Sequence, residues 1–169
     1  MTIELNAKPL RAGGYLLAML ALVACSPRVP SKLDEPMIQS LTSAGARAAA
    51  QRDATALCGQ LTEDAKIRLV EVRFSGSDIK RFDKAQWCEY LKKSYAVLPA
   101  DIEVGTSVNL RSIDIAADGK SASLELDVME EINMRGRALR MTTQQSATVV
   151  LVAGQAKYAE LTARITGGQ

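Results

Sequence analysis

The sequence predicts an α+β domain in which three N-terminal helices pack on a curved four-stranded antiparallel meander. Three observations lead there. From residue 36 to 98 apolar side chains recur at helical spacing, and from 102 to 165 they alternate with polar ones. The alternating faces of successive segments also coincide once short turns are placed between them, which a wrong register would not allow.

The chain opens differently. YLLAMLALVA, residues 15–24, is apolar, but at about 1.5 Å per residue it is too short for a ~30 Å hydrocarbon core. Lys8 and Arg11 precede it and small residues end it, the order of a secretory leader. Leu22, Val23, Ala24 and Cys25 resemble the bacterial lipobox. That resemblance implies cleavage before Cys25, attachment of a diacylglycerol with palmitate-like acyl chains to its thiol, and a mature chain that begins there. Ser26 resembles the signal for transfer to the outer membrane, so the expected location is its inner leaflet, facing the periplasm. The expected organisation is a signal peptide over 1–24, a lipidated cysteine and extended tether over 25–34, and one domain over 35–169. With prolines at 27 and 30, the tether would reach some 30 Å at about 3.3 Å per residue.

Removing Cys25 from the count leaves Cys58 and Cys88 as a pair in an oxidising compartment, and a Cys58–Cys88 disulfide is expected; two buried free thiols are the alternative. The full chain carries 21 basic and 19 acidic side chains. Without Lys8, Arg11 and Glu4 the balance is 19 to 18, which gives no charge signal for nucleic acid. Histidine is absent, so catalysis by Ser/His/Asp or Cys/His is excluded and the commonest metal ligand is missing. Neither a metal nor a cofactor is expected.

The first helix is expected over 36–51, with Asp34 or Ser31 as cap, Pro36 in the first turn, and Met37, Leu41, Ala44 and Ala48 on one stripe. A second follows Asp53 and turns Leu57, Cys58 and Leu61 inward. The third starts at Asp83, where Gln86 completes a capping box, runs through Trp87, Leu91, Tyr95 and Leu98, and stops at Pro99. In the first strand Ile102, Val104, Val108 and Leu110 are even but Ile113 and Ile115 odd, which predicts a bulge near Arg111 or Ser112. Asp118-Gly119 predicts a hairpin that pairs Ile115 with Ala122. Ala122, Leu124, Leu126, Val128, Glu130, Ile132 and Met134 then share a face. An Arg135-Gly136 turn pairs Met134 with Arg137 and brings Leu139, Met141, Ala147, Val149 and Leu151 to that face. A three-residue Ala153-Gly154-Gln155 loop returns Ala159, Leu161, Ala163 and Ile165 to it.

AAAQRDATALCGQLTEDA, residues 48–65, resembles the passage between the first two helices of the nuclear transport factor 2-like superfamily. FSGSDIKRFDKAQWCEYL, residues 74–91, resembles that superfamily's approach to its third helix. With the meander, the resemblance covers most of 35–166. It implies a cone whose concave sheet face and helices enclose a pocket, on a scaffold shared by isomerases, dehydratases, binding domains and assembly domains. Arg52 stands where the family often has glycine, and the family's two short early strands are not evident between Arg68 and Phe74.

The register singles out Glu130 as an inward acid, opposite Met141, with Thr143 and Gln145 further along the face. The expectation is that Glu130 lies near the rim or in a second bulge, solvated or paired with Arg137 or Arg140. The alternative is a desolvated carboxyl of raised pKa, as a general base requires. Tyr95 is the nearest analogue of the tyrosine that isomerase-like members pair with such an acid. Phe74, Phe82, Trp87, Tyr90 and Tyr95 gather in one window as packing or as an apolar lining. The candidate pocket set is Trp87, Tyr95, Glu130, Met141, Thr143 and Gln145, with Glu130 and Tyr95 the only catalytic candidates. Arg135, Arg137 and Arg140 form a basic hairpin tip, solvated or turned to an anionic lipid or acidic partner.

The expected role is a non-catalytic, membrane-anchored binding module for an envelope protein or a small apolar ligand. A lyase or isomerase with an open pocket is the alternative, a toxin-neutralising immunity lipoprotein is a variant of the first, and a homodimer through the sheet is a further option. The two classes separate on one point. An enzyme needs Glu130 buried beside an open pocket, whereas a partner-binding domain should have a filled cone.

Overall fold

The computed structural model describes residues 29–73, 76–99, 101–134 and 137–166. The leader, Cys25, Ser26, Phe74 and the Arg135-Gly136 turn lie outside them, as does the side chain of Arg137.

Helix α1 spans Glu35–Ala50; Asp34 caps it by accepting from the Met37 amide at 2.9 Å, and Pro36 sits in the first turn. Its buried stripe is Ile38, Leu41, Thr42 and Ala48, one residue round from the expected one, with Met37 at the edge. Helix α2, Ala54–Gly59, is capped by Asp53, and Leu61 is the first residue of strand β1 rather than part of that helix. Strands β1, Leu61–Arg73, and β2, Gly76–Asp83, form a hairpin. Helix α3 covers Lys84–Ala96 with the Asp83/Gln86 capping box formed. Strands β3, Glu103–Ile115, β4, Ser121–Met134, β5, Arg137–Val152, and β6, Gln155–Thr166, make the meander.

The sheet has six strands, not four, in the order β2-β1-β6-β5-β4-β3. β1 lies parallel to β6, so the early hairpin extends the meander at its far edge. The hairpin is hard to read because Thr62, Glu63 and Asp64 interrupt the alternation before Ala65, Ile67 and Leu69 restore it, and the ladder to β6 shifts between Leu61 and Lys66. The bulge falls between Leu110 and Ser112, Ile115 pairs with Ala122 and Met134 with Arg137, as expected.

The last turn differs. Val152 pairs with Gln155, so the connection is the two residues Ala153 and Gly154, with φ of 49° and 79°. Two successive positive φ values match the right-handed twist of a hairpin. A second irregularity, between Thr148 and Val149, leaves Ala159 unpaired and sets Tyr158 opposite Val149, so Tyr158 takes the inward place expected of Ala159.

The described part of the expected tether is docked. Leu33 is 5% exposed within the core of Ile38, Leu41, Leu124 and Val149, and its amide donates to the Gly119 carbonyl at 2.7 Å. Lys120 Nζ donates to the Ser31 carbonyl at 2.7 Å, and Val29 and Pro30 lie against Gly154. A Cβ on Gly154 would come within 2.4 Å of Val29 Cγ1, so glycine serves both the φ of that turn and the passage of the chain over it. The N-terminal strap and the hairpin turns thus plug one end of the cone.

Arg52 explains its departure from glycine. Its φ is 54°, a conformation that costs a non-glycine residue about 1–2 kcal/mol. Its guanidinium donates to the Pro99 carbonyl at 2.9 Å and to the Ile102 carbonyl, clamping the α1–α2 turn to the segment before β3. Arg52→Ala keeps the unfavourable φ and loses the clamp, so it should lower unfolding free energy by about 1.5–3 kcal/mol. Arg52→Gly should cost less, because it relieves the backbone; urea midpoints of the two variants check this order.

Candidate functional site

Past the plug the cone is hollow. A cavity of about 230 Å³ lies between the inner sheet face and the helices. On the sheet side its wall includes Thr106 and Val108 from β3, Leu126, Val128 and Glu130 from β4, and Thr143 and Gln145 from β5. Ala46 and Ala49 of α1, Leu57 of α2, and Trp87, Leu91 and Tyr95 of α3 close the other side. Small residues on α1 leave the space open: Gly45 has Gln60 Oε1 only 3.0 Å from where its Cβ would be, so a larger side chain there would push Gln60 into the cavity.

The helix wall is held by a covalent tie. Cys58 of α2 and Cys88 of α3 are disulfide-bonded, joining two helices whose own hydrophobic faces are short. Phe82, Trp87 and Tyr90 pack on one another at centroid separations of 5.2–5.5 Å, Trp87 and Tyr90 stacked and Phe82 tilted against both. Most of the aromatic window is therefore packing. Trp87 is shared between that stack and the cavity, while Tyr95 faces the cavity.

Among the described residues lining the cavity, Glu130 is the one carboxylic acid and none is a lysine or arginine. It is half-buried, and burial raises its pKa above the ordinary carboxylate range. Its expected basic partner belongs elsewhere: Arg140 Nε donates to Glu131 Oε2 at 2.7 Å on the outer face. The expected pairing with Arg140 is thereby corrected, while the one with Arg137 falls on a side chain outside the described ones. The alternation of β4 sends 130 inward and 131 outward, and only the outward acid meets the arginine. Tyr95 has its hydroxyl pKa pushed up to about 12, by burial and then by the nearby Glu130 charge. At neutral pH that hydroxyl is a hydrogen-bond donor.

Of the candidate pocket set, Trp87, Tyr95, Glu130, Thr143 and Gln145 come together around the cavity. Met141 does not. It pairs with Glu130 in the ladder, yet it falls beyond the wall toward the β4–β5 end and is half-buried there. Four polar members were missed: Thr42 of α1, whose hydroxyl donates to the Gln39 carbonyl, and three others. Thr106 sits opposite Glu130 on β3, its buried Oγ1 without a hydrogen-bond partner. Gln60 follows the short α2, and Tyr158 is brought in by the β5–β6 irregularity, its pKa raised by burial to about 12. The even positions of β3 gave a signal for Thr106; nothing local marked Gln60 or Tyr158.

Among the described residues no group of three His, Cys, Asp or Glu side chains is placed to hold a metal ion, and no helix is long and apolar enough to cross a membrane. Among the described residues the arrangement is a mostly apolar chamber with one partly desolvated carboxyl, the phenols of Tyr95 and Tyr158, and the unpartnered hydroxyl of Thr106.

No family model matches the sequence, and no curated protein matches it. Solved structures do match in fold. The chain is similar to a putative scytalone dehydratase from Novosphingobium aromaticivorans, with 15% identity and a TM-score of 0.60 over 79% of this chain and 85% of that one. It is similar to a ketosteroid isomerase-like protein from Erwinia carotovora atroseptica, with 13% identity and a TM-score of 0.57 over 80% and 99%. An NTF-2 like protein of unknown function from Silicibacter pomeroyi matches at 14% identity and a TM-score of 0.52 over 78% and 94%.

Proposed function

We propose, for a domain with the nuclear transport factor 2-like fold, that it binds a small, mostly apolar molecule inside the cone and offers that molecule's one polar group to Glu130. The supporting observation is the open cavity itself. A domain used only for its outer surface gains stability by filling such a space, whereas here alanines and a glycine on α1 keep it empty. A volume of about 230 Å³ exceeds the ~150 Å³ of an engineered cavity that takes benzene, so a ligand the size of two fused six-membered rings fits.

The chain's one tryptophan, Trp87, lines the cavity and gives a direct readout. Titration with an uncharged bicyclic alcohol that does not itself absorb, such as 2-decalol, should change Trp87 emission saturably. Linear, non-saturating change would contradict a built pocket.

A second reading is favoured by Tyr95. With Glu130 ionised as base and the Tyr95 hydroxyl as donor, the site suits removal of a proton from carbon beside a carbonyl. The proton goes to Glu130 and the charge developing on the carbonyl oxygen is met by Tyr95. Return of the proton to another carbon gives an isomerase; loss of a leaving group gives a lyase. The dehydratase and isomerase-like proteins named above share the fold, which supports this reading without supplying a substrate.

The proposed setting is the periplasmic side of the outer membrane, with the mature chain held by lipid on Cys25. Cys25→Ser should shift the protein from the membrane to the soluble fraction on high-salt extraction, which a lipid-anchored parent should resist.

A further inference from the structure

The outer face of the sheet carries a charge pattern that the pocket does not use. Arg68 of β1 is directly opposite Arg81 of β2, and Thr162 lies on its other side on β6. Two residues along, Val70 of β1 stands between Ile79 of β2 and Arg164 of β6. Cross-strand partners project from the same face, so these residues form one patch. Three exposed arginines rim a half-buried Val70 and an Ile79 that is 39% exposed.

Like charges directly opposite each other on a sheet are destabilising. Among the described residues, none of Arg68, Arg81 and Arg164 is in an ion pair. The nearest acids in the ladder, Asp83 and Glu160, both stand opposite Lys66, and Asp83 is committed to capping α3. Inward residues of the same strands, Leu69, Leu161, Ala163 and Ile165, line the cavity. Whatever covers the patch therefore lies on the far side of the sheet from the ligand.

We propose that this patch docks on an anionic lipid surface. Guanidinium groups around an apolar centre suit phosphate headgroups over acyl chains, with each arginine near such a surface contributing to attraction. A second copy of the chain is disfavoured, because packing this face on itself brings six arginines together. If Cys25 anchors the chain, as proposed above, the lipid holds the plugged end and the arginines hold the sheet about 30 Å away, counted along β6 from Gln155 to Arg164.

The test uses the chain from Ser26 onward, which contains every described element but neither the apolar leader nor Cys25, so its outcome is independent of lipidation. That chain should sediment with vesicles containing phosphatidylglycerol and not with pure phosphatidylcholine, and added salt should release it. The triple variant R68S/R81S/R164S should bind on the order of 100-fold more weakly. R47S/K92S/K93S, which removes the same charge from the helices, should bind nearly as well as the parent. Equal loss in both triples, or absence of binding to either vesicle, would overturn the proposal. So would sedimentation analysis showing a dimer that only the sheet triple dissolves.

Discussion

Replacing Cys58 and Cys88 with serine should lower the unfolding free energy by about 3.5 kcal/mol. The bridge closes a loop with a sequence separation of 30, and the chain-entropy cost of such a closure in the unfolded state has that size. For a domain of this length the melting temperature should fall by roughly 10 °C. The effect should not be uniform. The core around Ile38, Leu124 and Val149 draws on α1, the strap and the meander, whereas α2 and α3 sit over a smaller cluster of Leu61, Ala65 and Ile67. Loss of the bridge therefore loosens the helix wall of the cavity first, and Trp87 emission should shift to the red at lower urea than the loss of strand signal. Identical urea transitions with and without reductant, by both probes, would contradict this assignment of the bridge's role.

The second large effect concerns Glu130→Gln. Burial raises the folded-state pKa of Glu130 above its unfolded value. Between those two values the native state holds a proton that the unfolded state has released, so stability falls as pH rises through that window. The neutral amide removes this dependence. Glu130→Gln should therefore be more stable than the parent above the window, equal to it below, and flatter in between. Its function should suffer in the opposite sense: any proton-transfer activity should drop by about 10²–10⁴-fold, the usual contribution of a general base. Gain of stability with loss of function at one position marks a residue kept for chemistry or binding rather than for folding. Melting curves of parent and variant across acidic to neutral pH give the first half directly, and a parallel pH dependence in the two proteins would refute it.

The meander was legible because its strands bury one face. Period-2 alternation through Leu124, Leu126 and Val128, and the change of parity across Leu110 and Ser112, carried both the register and the bulge. Asp83 with Gln86 likewise marked the start of α3, since capping is decided within four residues. The β1–β2 hairpin was less legible, because charged residues interrupt its alternation and its parallel pairing to β6 has no local signature. The same applies to the site. Glu130 is visible from parity, but its burial depends on α1 and α3 closing over it, and Arg140 meets the outward Glu131, one position along. Tyr158 entered the cavity through an irregularity that no nearby glycine or proline announced. Two prolines suggest an extended tether, whereas Leu33 shows an extended segment can still be buried when two hairpin turns receive it.

The central claim is that the cone is a ligand chamber. It is tested most directly by amide chemical-shift mapping during titration with an uncharged bicyclic alcohol. The predicted result is saturable shifts at Ala46, Leu91, Tyr95, Leu126 and Gln145, which share only the cavity, with the outer positions Ser123, Thr148 and Thr162 unmoved. Shifts confined to the outer face, or none at ligand saturation of solubility, would contradict it.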